Sequence, residues 1–183
     1  MKNTFRKSAV LFTLIAAFAM IFVGCSKDSS SSNNGGGGNT PTPTPPPTGD
    51  YGTIHLGDQI YEIHLAEYTQ YFDEDLQANC IGIALADGTA QTANYYLAVI
   101  PFHNEVPTGS FTYTLDDPQE GNCGGFFQSG ANTNNRLFIS SGNMEISKDG
   151  STYTIESQGV ATNMSNAVIS FTISFEGPLT YSE

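Results

Sequence analysis

Tryptophan is absent from the 183 residues, basic side chains number only six, and charged residues of both signs make up 13% of the chain. So few cations cannot form the basic stripe that a phosphate backbone requires, which excludes a nucleic-acid partner. The low charge and the lack of heptads exclude a coiled coil, and a single apolar run excludes a polytopic membrane protein. Past residue 50 no stretch of ten residues keeps a helical period, so helices do not build the folded part.

The scarce bases are also unevenly placed. Lys2, Arg6 and Lys7 lie at the start and Lys27 follows soon after, leaving Arg136 and Lys148 as the only two from residue 51 onward. Sixteen acidic residues fall in that same region, giving it a formal charge of −14 against −12 for the whole chain. The acidity therefore belongs to the part that folds.

The three cationic residues near the start precede an apolar run from Ala9 to Val23 that ends in Gly24-Cys25. At about 15 residues it is short for a hydrocarbon core of roughly 30 Å, and it reads as an export signal over residues 1–24. Phe22-Val23-Gly24-Cys25 resembles the lipobox of bacterial lipoproteins, although Phe22 stands where an aliphatic residue is usual. That resemblance implies that Cys25 is lipidated and becomes the mature N-terminus, anchored by several acyl chains. Residues 25–50 then form a tether. Its Ser, Asn and Gly tract cannot bury apolar surface, and Thr40-Pro41 to Pro47-Thr48 favours extended polyproline II. Ser26-Lys27-Asp28 is similar to the surface-export signal of lipoproteins from the Bacteroidota, which implies outward display at the outer membrane.

Residues 51–183 read as one all-β domain. Tyr61, Ile63 and Leu65, then Ile81, Ile83 and Leu85, then Tyr95, Leu97 and Val99 recur at period two. Phe111 and Tyr113, Leu137 and Ile139, Met144 and Ile146, and Tyr153 and Ile155 continue the pattern, and Ala167 to Phe175 is its most regular stretch. Asp87-Gly88, Asp149-Gly150 and Gly177-Pro178 supply turns. Eight or nine strands at this spacing predict an antiparallel, meander-rich β-sandwich, with a closed barrel as the alternative. Two long connections are expected, residues 67–78 and 116–134, and long loops in compact domains are often functional.

Those connections carry the candidate site residues. Tyr68, Tyr71, Phe72, Phe126 and Phe127 are aromatics outside the strand stripes, suited to gripping a sugar ring or a partner protein. Asp73, Asp75, Asp116 and Asp117 are acidic neighbours that could hold Ca²⁺ through oxygen ligands, although no EF-hand spacing is present. Cys80 and Cys123 remain after lipidation, and in an oxidising compartment a disulfide between them, closing a loop of roughly 43 residues, is expected. Gly121-Asn122-Cys123-Gly124-Gly125 has the outline of a nucleophile elbow, yet no helix start follows it. His55, His64 and His103 have no zinc-motif spacing and read as polar-face residues. No catalytic constellation emerges, so a non-enzyme is expected.

The lipobox, the tether and the C-terminal run Ser141 to Ser147, Gly150 to Ile155 and Phe175 to Leu179 together resemble small surface lipoproteins of the Bacteroidota. The resemblance implies a membrane-anchored, surface-displayed β-domain for glycan or host contact and transfers no catalytic residue. A structural or inhibitory protein that captures basic proteins on its acidic surface is the second expectation.

Overall fold

In a computed structural model, residues 49–88, 93–115, 119–130, 136–163, 165 and 167–182 are described. Residues 1–48, which include the expected export signal, Cys25 and most of the expected tether, and also Asp116 and Asp117, lie outside them.

All elements among the described residues are strands: β1 (Gly52–Leu56), β2 (Gln59–Glu62), β3 (Leu65–Asp73), β4 (Ala78–Ala86), β5 (Asn94–Pro101), β6 (Gly109–Tyr113), β7 (Asn122–Ser129), β8 (Leu137–Asp149), β9 (Thr152–Thr162), β10 (Val168–Gly177) and β11 (Thr180–Tyr181). The all-β class stands. Instead of two facing antiparallel sheets, the eleven strands form one mixed, curled sheet in the shape of a half-barrel, in the order β11-β3-β4-β5-β7-β6-β8-β9-β10-β1-β2. Two pairs, β6 with β7 and β11 with β3, run parallel. The other pairs are antiparallel, and β7 also pairs with β8.

Alternation decides which face each residue takes. In β10, Phe171, Ile173 and Phe175 are buried while Thr172, Ser174 and Glu176 are exposed. The buried set meets Ile83 and Leu85 of β4, Tyr96 and Ile100 of β5, Phe127 of β7, and Met144 and Ile155 of β8 and β9 in one core inside the curl. A polar thread crosses that core. The Tyr113 hydroxyl hydrogen-bonds with that of Tyr96 and with Ser157 Oγ at 2.9 Å, and Ser157 donates to the Asn143 carbonyl at 3.2 Å. Buried hydroxyls left unpaired would each cost roughly 1–3 kcal/mol, so the chain of partners lets polar atoms sit among aromatics.

Curling requires sharp bends, and two glycines make one possible. Gly142 of β8 and Gly159 of β9 are direct partners just past a register shift between Ile139 and Ser141. A Cβ on Gly159 would stand 2.1 Å from the Ser141 carbonyl oxygen, and one on Gly142 would stand 2.2 Å from that of Gln158. Only backbone fits between them, and the two long strands bend together there.

The expected loop 67–78 is largely strand, and the expected loop 116–134 contains one. Residues 65–73 form β3, and only a tight turn at 74–77 leads into β4. Likewise, Asn122 to Ser129 form β7, whose glycine-rich start resembles a loop in sequence. Gly125 explains the composition: a Cβ there would come within 2.9 Å of the Leu97 carbonyl and 3.0 Å of Ile139 Cδ1. The segment is thin because the sheet is tight at that point.

Candidate functional site

The expected loop site does not assemble. Phe127 is buried in the core against Tyr96 and Phe171, with ring centroids 5.4 Å and 5.0 Å away. Phe126 lies on the outer face beneath Arg136, whose guanidinium carbon is 4.9 Å from the ring centroid. Tyr68 is half-buried against Tyr181, and Tyr71 is half-buried across from Cys80 in the β3–β4 register. Phe72 alone of the five is exposed. Asp73 is buried, and its Oδ1 accepts the backbone N–H groups of Asp75 and Leu76, both at 3.0 Å. That oxygen closes the β3–β4 turn, while Asp75 points to solvent.

The expected disulfide is corrected by the sheet. Cys80 and Cys123 are both free and buried. Register explains why: Cys80 pairs with Pro101 next to the inward pair Ile81–Ile100, so its thiol takes the outer face. Cys123 shares the inward face with Phe127 and belongs to the main core, and β5 lies between the two strands. Burial, with Asp73 nearby, pushes the Cys80 thiol up to about 11, and burial also pushes the Cys123 thiol well above its ordinary range. Neither thiol is an activated nucleophile. The Tyr71 hydroxyl is buried beside Cys80, and its phenol is likewise shifted upward by burial, then by Cys80 and Asp73.

A different surface offers a site. On the polar face of β6, β8, β9, β10 and β1 lies a trough of about 710 Å³. Its first row runs across the strands as Ser110, Glu145, Glu156, Ser174 and Thr53, each the direct partner of the next. The second row, Thr112, Asn143, Gln158, Thr172 and His55, is registered in the same way. Direct partners in a sheet point to one face about 5 Å apart, so ten hydroxyl, amide, carboxylate and imidazole groups form a two-row grid. Nine of the ten are exposed and Thr53 is half-buried.

Glu145 and Glu156 face each other directly, a like-charge pair that disfavours the empty sheet. Ser174 Oγ donates to Glu156 Oε1 at 2.7 Å, which offsets part of that repulsion. Gly142 and Gly159 lie next to Asn143 and Gln158, so the bend of the half-barrel is at the trough itself. A second, apolar cavity of about 160 Å³ between Ile54, Leu56, Tyr61, Phe127 and Leu137 is too small for a sugar or a peptide segment.

Sequence reading missed the grid because its residues are the outward alternates of ordinary amphipathic strands. Ser170, Thr172, Ser174 and Glu176 are visible as a polar stripe, but nothing local says that β9 and β1 flank them. Of the three histidines, His55 joins the trough, His103 stacks its ring edge-on against Phe111 with centroids 5.9 Å apart, and His64 lies in the link between β2 and β3.

Comparison with protein-family models, with curated proteins and with solved structures finds no match to this chain.

Proposed function

We propose that this protein is an outer-membrane lipoprotein, anchored through Cys25, displayed at the cell surface on the tether 26–50, and acting as a non-catalytic glycan-binding module through the polar trough. The observation that carries the reading is the two-row grid on one exposed face. Sugars present dense hydroxyls that both donate and accept, and a surface of Ser, Thr, Asn, Gln and Glu can match them without a deep pocket. The facing carboxylates of Glu145 and Glu156 favour donors over anions, which points to neutral or amino-bearing glycans rather than uronates or sulfated chains. Both glutamates are exposed, whereas a carboxyl serving as general acid is held in an apolar pocket, so the grid reads as a binding surface.

A glycan array probed with the full chain should give signal on neutral or amino sugars. Glu156→Gln and Gln158→Ala should each weaken binding by about tenfold, the loss of one charge-assisted or well-aligned hydrogen bond at about 1.4 kcal/mol, without lowering thermal stability. Wild-type signal in both variants would sink the trough as the binding surface.

The second reading, capture of basic proteins, is favoured by one fact. Arg136 is buried at 5% exposure, which leaves Lys148 as the single exposed Lys or Arg among the described residues. Binding of a cationic protein to this surface should disappear in roughly 1 M salt, where the screening length is about 3 Å. Pull-down that persists there would count against it. Ca²⁺ held by the acidic residues remains a proposal in the same class, read by calorimetric titration.

A further inference from the structure

We propose that His64 Nε2 and Glu62, with Asp50 holding the imidazole through Nδ1, form a surface site for a divalent transition cation of the Zn²⁺ type, at the junction between tether and domain. Glu62 ends edge strand β2 and His64 lies in the short link to β3, where its Nε2 comes within 3.6 Å of Glu62 Oε2. Asp50 approaches from the end of the tether. One ligand atom from each of the three lies within 4.8 Å of the other two.

The orientation of the imidazole argues for a ligand more than proximity does. Nδ1 faces two acceptors, the Gly49 carbonyl and Asp50 Oδ1, each at 3.3 Å. In the tautomer with its proton on Nδ1, a neutral ring turns the Nε2 lone pair toward Glu62 Oε2, 3.6 Å away. In that tautomer the two electron-rich atoms are spaced as neighbouring ligands around one ion at about 2.0–2.2 Å from each. A ring whose Nδ1–H is fixed by a carbonyl or carboxylate while Nε2 ligates is the usual arrangement behind a metal-binding histidine.

Imidazole with carboxylate suits Zn²⁺ and similar ions, whereas Ca²⁺ prefers an all-oxygen set. Asp50 and Glu62 side chains are 88% and 70% exposed, so waters complete the coordination. Bound metal would fasten residues 49–50, the last of the tether, onto the β2 edge. This site stands apart from the trough and does not depend on glycan binding.

The test is calorimetric titration of the chelator-washed full chain with Zn²⁺, in parallel with His64→Ala, Asp50→Asn and His55→Ala. Cys25 is common to all four, so differences between them report the site. One equivalent of Zn²⁺ should be taken up in a step that His64→Ala removes, Asp50→Asn weakens by about tenfold and His55→Ala leaves intact, while Ca²⁺ in the same range fails to displace it. Zn²⁺ uptake unchanged by His64→Ala, displacement by equimolar Ca²⁺, or no difference between wild type and His64→Ala at millimolar Zn²⁺ would each overturn the proposal.

Discussion

At the scale of single residues, the buried acids of the core make this domain sensitive to alkali. Burial holds the Cys80 and Cys123 thiols and the Tyr71, Tyr96 and Tyr113 phenols in their neutral forms at pH values where the unfolded chain would release those protons. An ordinary thiol titrates near about 8.5, and the Cys80 thiol at about 11 in the fold. Between those values the native state binds more protons than the unfolded one, so stability is fully present below the window and falls as pH rises through it. Each retained proton contributes a slope of up to about 1.4 kcal/mol per pH unit. Urea midpoints of the reduced protein should be level up to pH about 8 and decline beyond it, with Cys123→Ala showing a shallower decline. A midpoint that stays constant to pH about 10.5 would refute the linkage.

At the scale of elements, the bend between β8 and β9 is the most constrained feature. Gly159→Ala would place a methyl group 2.1 Å from a backbone oxygen that cannot rotate away. The expected cost is roughly 2–4 kcal/mol, in the range of backbone strain combined with overpacking. Chemical denaturation measures this, and a loss within about 0.5 kcal/mol, as for ordinary surface changes, would mean that the strands separate easily at this point. Gly150→Ala should cost less, because its Cβ would meet nothing within 4 Å and only its positive φ of 59° resists the change.

The same elements show what could be read from the chain. β10, with one face in the core and the other in water, alternates cleanly from Val168 to Gly177. By contrast, β4 is buried on both faces, with Ile81, Ile83 and Leu85 inward and Cys80 and Ala84 outward, and only its inward stripe of large residues stood out. Tyr68 to Asp73 and Phe126 to Phe127 passed for loop because polar and glycine residues interrupt their stripes. The glycines serve close backbone approach, a property of neighbours in space that local pattern does not carry. The trough was illegible for the same reason: each of its residues is an unremarkable outward alternate, and register alone brings them together.

At the scale of the whole molecule, the sheet order joins the two ends of the chain. β1 pairs with β10 over five residues from Gly52↔Phe175 to Leu56↔Phe171, and β3 pairs with β11. The long β8–β9 hairpin can form locally, but the core inside the curl cannot close without β10. A chain ending after residue 167 should therefore lose its cooperative thermal transition, read by near-ultraviolet circular dichroism of its tyrosines. A sharp transition in that truncated chain would show that β1 finds its place without β10.

That pairing of first strands with last has a kinetic meaning. A polypeptide delivered N-terminus first, whether by a ribosome or through an export channel, presents β1 and β2 long before β10 exists to receive them. The sheet therefore cannot close until residue 177 or so has emerged. Strand order alone therefore delays closure of the curl until β10 is available, so β1 and β2 wait unpaired with their final neighbour while the middle strands assemble.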